Sequence, residues 1–369
     1  MRRNNQTSIL PLALAAAFFA ACASNGGNQG TSDEQAGSGT QAHDTDESFK
    51  TLSATGLYKN GSIANPDKEL ADGVFEYTPN FKLWSDGAHK TRWIQLPPGK
   101  KIDTRDMDHW KFPVGTKVWK EFRDPDERRL ETRFIMVLKD DDVFIATFLW
   151  NSTETSAKRV DDGYDRARGT LHDVPEQGVC MDCHGGEASS ILGFSAIQLS
   201  RSGEGVTFNW LVNQNLITNS TNPALASEDG YTLPWDAQTN AALGYLHANC
   251  GHCHNPDGEA DSHDQLLRIG ISDLSKSAIK TAVFRSLNKE ADHGPWGDND
   301  EIENRLTPGD AAKSAIVYRM SQRGKPTRKP YDVPDDQMPP LGTEYVDMEG
   351  LRTVVAWIDA LPSVPQTRE

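Results

Sequence analysis

The stretch Cys180-Met181-Asp182-Cys183-His184 is matched in pattern by Cys250-Gly251-His252-Cys253-His254. Both are C-x-x-C-H motifs, the pattern on which haem is attached through two thioether bonds. Two thiols three residues apart can reach the two vinyl groups of one porphyrin, and the histidine that follows can ligate the iron. The two motifs therefore predict two covalently bound haem c groups, with His184 and His254 as proximal ligands.

A zinc site and a disulfide are the alternatives to haem for the same cysteines. Sixty-six residues separate Cys183 from Cys250, whereas the halves of a zinc ribbon lie about 15 to 20 residues apart. Thiols in an exported protein are exposed to oxidation, which allows a structural or redox disulfide. A disulfide does not explain why a histidine follows both cysteine pairs, so haem is the favoured interpretation.

The second motif lies between two predicted helices. Residues 240–249 lead into it with one helix breaker, and residues 347–361 place apolar side chains at helical spacing. Two helices that flank a haem resemble a class I cytochrome c. This resemblance implies a sixth iron ligand shortly before the last helix, and Met338 in the segment 337–343 is the residue that matches. A thioether ligand stabilises reduced iron and favours electron exchange.

The distal ligand of the first haem is not evident from the sequence. Neither histidine nor methionine occurs between His184 and Leu246, so the ligand must come from elsewhere or be absent. Apolar cover for this haem is expected from residues 191–194 and 208–212. The candidate ligands, of which the first two are preferred, are His247, His172, His252, His89 and His109.

The N-terminus predicts export. Arg2 and Arg3 precede an apolar run over residues 9–21, which is shorter than the roughly 20 residues of a membrane-spanning helix. The run ends at Cys22, and the pattern resembles a lipoprotein signal peptide, 1–21, with Cys22 as the lipidated residue. Phe19 departs from the aliphatic residue usual in such signals, which leaves ordinary cleavage or retention as alternatives.

Lipidation of Cys22 would anchor the chain to a membrane, because more than one buried acyl chain gives stable attachment. The residues that follow, Ala23 and Ser24, indicate the outer membrane by resemblance. The predicted location is the periplasmic side of the cell envelope. Residues 22–49 contain few large apolar side chains and predict a disordered tether.

Residues 50–170 predict a β-rich domain of short strands separated by Pro, Gly and Asp. Strands are expected at 93–96 and 117–122. The clearest hairpin joins residues 133–138 to residues 143–150. The tryptophans expected in its core are Trp84, Trp93, Trp110 and Trp119.

The predicted fold class is α+β. A β-rich N-terminal domain, 50–170, precedes a mainly α-helical dihaem cytochrome c region. That region divides into a first haem-binding segment, 171–235, and a cytochrome c-like domain with the second haem, 236–369.

The net charge of the chain restricts the kinds of partner molecule that it is expected to bind. The formal net charge is −15, which argues against a nucleic-acid-binding protein. An acidic surface favours redox partner proteins with basic docking faces and association that weakens with salt.

Beyond the motifs, the whole mature chain resembles a family of exported bacterial dihaem c-type cytochromes. The resemblance implies electron transfer with two covalent haems, with Cys180, Cys183, Cys250 and Cys253 as attachment points. The stretches that carry it are Leu83-Trp84-Ser85-Asp86-Gly87-Ala88, Trp110-Lys111-Phe112-Pro113-Val114-Gly115-Thr116, Ile191-Leu192-Gly193-Phe194-Ser195-Ala196, Tyr245-Leu246-His247-Ala248-Asn249-Cys250 and the Met338 segment.

Two other functions stay open from the sequence. A haem enzyme of peroxidase type would use an open sixth position on the first haem, with His172, Glu176 or Glu187 as acid–base groups. Alternatively, the β-rich domain binds a partner or polysaccharide and the haems serve it. A calcium loop at Asp103, Asp106 and Asp108 is disfavoured, because the glycine and distal glutamate of such loops are missing.

Overall fold

The computed structural model describes residues 47–63, 69–139, 142–218, 230–260, 265–281, 283–291, 301–324 and 337–362. All of them belong to one compact unit, Ala42–Glu369. The predicted signal peptide, Cys22 and most of the predicted tether lie outside the described residues.

The largest element of the described chain is a six-stranded antiparallel sheet in which each strand pairs with the next. Such a meander is expected from short β-branched and aromatic strands joined by turns. The predicted hairpin is confirmed, since the fourth and fifth strands pair from Glu131 with Leu149 to Lys139 with Asp142. The strands are β1 Val74–Tyr77, β2 His89–Gln95, β3 Lys117–Arg123, β4 Arg129–Lys139, β5 Asp142–Trp150 and β6 Ala157–Arg159.

Both faces of the sheet are covered, because successive side chains of a strand point to opposite faces. On one face Trp93, Trp119 and Phe134 pack against the segment that contains Leu52 and Leu57. On the other face the sheet packs against the chain that carries the cysteine motifs. Apolar residues of that shared core include Ile94, Val118, Ile135, Ile191, Phe194, Leu243 and Trp357.

The tryptophan prediction holds for three of four residues. Trp93, Trp110 and Trp119 are buried. Trp84 is only partly buried, and its indole Nε1 donates a hydrogen bond to the carbonyl oxygen of Tyr345 at 3.1 Å. Trp84 thus ties the segment before β2 to the C-terminal part of the chain.

The helices of the described chain are mostly short. Among its α-helices only α4 and α6 exceed seven residues. The α-helices are α1 Cys180–His184, α2 Ala196–Leu199, α3 Phe208–Asn213, α4 Ala237–Asn249, α5 Ala315–Ser321 and α6 Met348–Ala360. The 3₁₀ turns are Leu52–Thr55, Lys59–Gly61, Ala167–Gly169, Gln177–Val179, Ala188–Ser190, Ile271–Ser275, Ala278–Lys280, Val283–Ser286 and Ala311–Lys313.

The prediction of a mainly α-helical C-terminal dihaem region is wrong. The structure is mainly a six-stranded antiparallel sheet with few helices. Between α4 and α5 the described residues form only 3₁₀ turns, bridges and irregular chain. Glycine, proline and short polar residues are frequent there, and each lowers helix propensity. The helical periodicity of residues 240–249 and 347–361 does not continue in the chain between them.

Two predicted helices at those ends are confirmed. Helix α4 begins after Asp236, whose side chain accepts a hydrogen bond from the Thr239 amide, and it ends at the second motif. Helix α6 begins after Asp347, which caps it in the same way. The two helices pack closely where Gly350 of α6 faces the Tyr245 ring of α4. There is no room for a side chain at Gly350, since a Cβ there would lie 2.1 Å from the ring. This contact fixes the second motif against the end of the chain.

Candidate functional site

The first motif forms helix α1 and orients its histidine. His184 Nδ1 lies 2.7 Å from the carbonyl oxygen of Ser190, so Nδ1 is the protonated nitrogen and donates. Burial lowers the pKa of His184 to about 4, which keeps the ring neutral. The lone pair is therefore on Nε2, the atom that can ligate a metal when a backbone carbonyl accepts the proton of Nδ1. Ser189 and Ser190 reach this position with left-handed backbone, at φ of 57° and 54°.

The second motif opens into a cavity of about 100 Å³ that we call the motif-two cavity. Its lining includes Cys250, His254 and Met338 together with mostly apolar side chains. A cysteine thiol, an imidazole and a thioether thus share one cavity.

Met338 is held in place by its neighbours. Its amide donates to the carbonyl oxygen of Arg319 at 3.1 Å. The buried Gln337 side chain donates to the carbonyl oxygens of Pro339 and Thr343 at 3.2 and 3.1 Å. These bonds fix the backbone of the segment that contains the predicted sixth ligand, Met338.

The loop before β2 is hydrogen-bonded both to the end of helix α4 and to the chain that follows Met338. Asn249, next to Cys250, accepts a hydrogen bond from the Trp84 amide at 2.7 Å. Asp86 Oδ1 accepts the amides of Glu344 and Tyr345 at 2.7 and 2.8 Å. The stretch 83–88 therefore has a positioning role that connects the second motif to the chain after Met338.

The two motifs touch each other. Cys253 Sγ lies 3.4 Å from the carbonyl oxygen of Asp182. Gly186 and Gly258 meet without side chains, since a Cβ on Gly186 would lie 2.7 Å from Gly258 Cα and 2.8 Å from the carbonyl oxygen of His252. Two cofactors attached at these motifs would therefore be held close together by backbone contact.

We expect Gly186→Ala to lower the free energy of unfolding by about 1–3 kcal/mol, because the new methyl group overlaps backbone that cannot move alone. Gly178→Ala is the matched control, since nothing lies within 4 Å of a Cβ there. Chemical denaturation of both variants measures the difference. Equal stability of the two variants would contradict the close contact.

The contact between the two motifs also brings together three side chains that could ligate a metal ion. Ligand atoms of Cys183, His252 and Cys253 lie within 4.8 Å of one another. A zinc ion would take one thiol from each motif and need a fourth ligand. This arrangement leaves Cys180 and Cys250 without a role, whereas haem attachment uses both thiols of each motif. The described cysteines form no disulfide, and their donor set fits haem.

His247 is poorly arranged as a distal ligand. Its Nδ1 accepts a hydrogen bond from the Ile269 amide at 3.2 Å, and burial lowers its pKa to about 3. A neutral ring that accepts at Nδ1 carries its proton on Nε2. Nε2 then has no lone pair for iron, so ligation would require loss of this hydrogen bond.

His172 is engaged elsewhere. Its Nε2 lies 2.7 Å from Glu131 Oε1, and its ring packs 5.2 Å from Phe122. Glu131 also binds Arg133 at 2.8 Å. Burial alone would raise the pKa of Glu131, but Arg133 and the hydrogen bond from His172 lower it to about 2. His172 is therefore held in a hydrogen-bond network on the sheet.

We expect Glu131→Gln to lower the free energy of unfolding at pH 7 by about 3 kcal/mol, because it leaves the Arg133 guanidinium and the buried His172 ring facing a neutral amide. The pKa of Glu131 falls from 4.5 to about 2 on folding, so the contribution is complete above pH 4.5 and is lost towards pH 2. Denaturation across this range should show the wild-type advantage shrinking. The exposed Glu76→Gln is the control, and an advantage that does not vary with pH would contradict the assignment.

The remaining candidate histidines lie at the surface or in the cysteine cluster. His89 pairs with Glu127, and His109 lies 3.1 Å from Asp106. His252 belongs to the three-donor cluster described above. None of them shares the motif-two cavity.

The acidic residues of the disfavoured calcium loop have protein partners. Asp103 binds the Arg105 guanidinium at 2.6 Å. Asp108 Oδ1 accepts the Ile271 amide at 2.8 Å. These contacts give Asp103 and Asp108 structural roles in joining the loop to its surroundings.

Three residues beside the first motif were missed as functional residues by sequence reasoning. Arg92 and Lys120 lie on the face of the sheet that packs against the chain with the cysteine motifs, and they line a cavity of about 60 Å³ together with Trp110. We call it the sheet-side cavity. Its other walls include Phe194 and His247. The available signal was a cationic residue at an inward position of β2 and of β3, where an apolar residue is expected.

No helix in the described ranges combines the length and apolar character needed to cross a membrane. Comparison with family models, curated proteins and solved structures found no match to this chain. Functional assignment therefore rests on the motifs and on the geometry around them.

Proposed function

We propose that the chain is an exported dihaem c-type cytochrome that transfers electrons between redox partners in the cell envelope. The observation that carries the proposal is the motif-two cavity, because Cys250, His254 and Met338 all line it. Haem, when bound, would supply the one-electron redox change at its iron.

The protein's part is attachment, orientation and control of potential. At the second motif, Met338 would offer the thioether that favours reduced iron, held by the Arg319 carbonyl and Gln337. At the first motif, the Ser190 carbonyl holds His184 Nδ1 and presents Nε2. The backbone contact at Gly186 would keep the two cofactors adjacent.

Charge would guide the partners. The net charge of −15 favours encounter with basic proteins. Export and lipidation at Cys22 would confine these encounters to the periplasmic side of the envelope.

Stopped-flow oxidation of the reduced, haem-loaded protein tests this function. One acceptor should be a small basic redox protein and the other an acidic one of similar potential. We expect the rate with the basic acceptor to fall by about tenfold or more between low and high ionic strength, whereas the acidic acceptor shows no such fall. Equal rates and equal salt dependence would contradict docking through an acidic surface.

A haem enzyme of peroxidase type is the second candidate, favoured by one observation. The preferred distal candidates are engaged, His247 with the Ile269 amide and His172 with Glu131. A first haem without a protein distal ligand would be high-spin and open to small substrates. Peroxide turnover together with a high-spin spectrum would support this function, and two low-spin haems without turnover would eliminate it.

A further inference from the structure

The sheet-side cavity is lined by two basic side chains that have no carboxylate partner among the described residues, and burial lowers the pKa of both. Arg92 on β2 and Lys120 on β3 are direct cross-strand partners. Arg92 is only 7 % exposed, and Lys120 is partly buried. Within the described ranges, no hydrogen bond or ion pair joins either side chain to another residue, although Lys120 Nζ lies 5.0 Å from the Phe122 ring centroid.

Such an arrangement is unfavourable by itself. Like charges directly opposite on neighbouring strands destabilise a sheet. Buried charges in folded proteins are normally paired, because removing a charged group from water without a partner is unfavourable. The next cation in the row, Arg133, does have its partner in Glu131 at 2.8 Å. Arg92 and Lys120 therefore call for an anion from outside the described chain.

A third donor lies in the same cavity. The Trp110 Nε1–H group is buried and has no hydrogen-bond partner among the described residues. An indole N–H can only donate. The sheet-side cavity is thus lined by three residues whose side-chain nitrogen atoms can donate hydrogen bonds, namely Arg92, Lys120 and Trp110.

The two carboxylates that line the cavity are already engaged. Glu187 binds Arg268 at 2.9 Å. Asp108 accepts the Ile271 amide at 2.8 Å. The described walls therefore keep an excess of unsatisfied donors and positive charge.

We propose that Arg92, Lys120 and Trp110 form a seat for a carboxylate or a similarly small oxyanion beside the first motif. The anion has two sources: a propionate of the first haem, in which case the inference rests on the proposed function, or a free anion that enters the cavity. Two charge-assisted hydrogen bonds and the indole N–H would satisfy it.

Calorimetric titration of the haem-loaded protein with acetate and phosphate at low ionic strength, together with the midpoint potentials of both haems, tests the seat. The variants are Arg92→Gln and Lys120→Met, and the control is Lys111→Gln, which removes an exposed cation outside the cavity. Far-ultraviolet dichroism shows which variants are folded. Should one variant fail to fold, the other still reports on the seat.

If the seat binds a free anion, a probe anion binds saturably, and each variant weakens it by at least about tenfold, since a charge-assisted bond is lost. If a propionate fills the seat, neither probe binds, and each variant lowers the potential of the first haem while the second is unchanged. Lys111→Gln has neither effect. Absence of probe binding together with unchanged potentials overturns the proposal.

The same titration separates this inference from the proposed function. A chain isolated from an export-competent host without haem contradicts the cytochrome assignment. Saturable binding of acetate or phosphate to that chain, weakened by Arg92→Gln, would still support the seat. Absence of such binding would overturn the seat as well.

Discussion

Met338→Leu will lower the midpoint potential of one haem by on the order of 0.2 V, a fraction of the ~0.8 V over which axial ligands set haem potentials. Leucine keeps the volume of methionine and removes the sulfur, so packing is largely preserved. The near-infrared band of sulfur-to-iron charge transfer should disappear from the oxidised spectrum. Spectroelectrochemistry measures both changes on the same sample.

Met320→Leu is the matched control for this prediction. Met320 also lines the motif-two cavity and is buried, with 6 % exposure. Its replacement should leave the band and both potentials nearly unchanged. Loss of the band in the Met320 variant would move the sixth ligand to Met320, and unchanged spectra in both variants would remove methionine ligation altogether.

Replacing Cys250 and Cys253 together by serine will reduce the haem content from two to one and remove the Met338 band. The motif-two cavity would then lack the haem that we propose occupies it. The apolar side chains around it lose packing partners, so the melting temperature should fall as well. Intact mass under denaturing conditions measures the number of covalent haems.

The complementary variant replaces Cys180 and Cys183 by serine. It should also retain one haem, but with the sulfur-to-iron band intact, because Met338 lies in the other cavity. This pair of variants assigns each spectrum to its motif. Loss of both haems from either variant would show that the motifs do not act as separate attachment sites.

Local pattern was enough to predict several elements. The strands around Trp93 and Trp119 are rich in β-branched and aromatic residues. The hairpin has a polar turn between two strands of the same composition. Helices α4 and α6 follow from apolar spacing, with aspartates at their N-termini. Of the predicted site residues, Cys250, His254 and Met338 share one cavity, although 83 residues separate His254 from Met338.

Long-range arrangement was not accessible in the same way. The meeting of Gly186 with Gly258 depends on how two irregular loops pack, and irregular loops have no periodic signature. The tautomer of His247 is set by the Ile269 amide, 22 residues away in sequence. The mainly α-helical region was predicted from its two end helices, but composition favours turns between them.

The central claim is that the four motif cysteines carry two haems. The most direct measurement is the intact mass of the wild-type protein, exported from a host that attaches haem c, together with its iron and zinc content. We predict two covalent haems and two iron atoms per chain, with no zinc. A chain without covalent haem that contains zinc at Cys183, His252 and Cys253, or disulfides between the motif cysteines, would contradict the account.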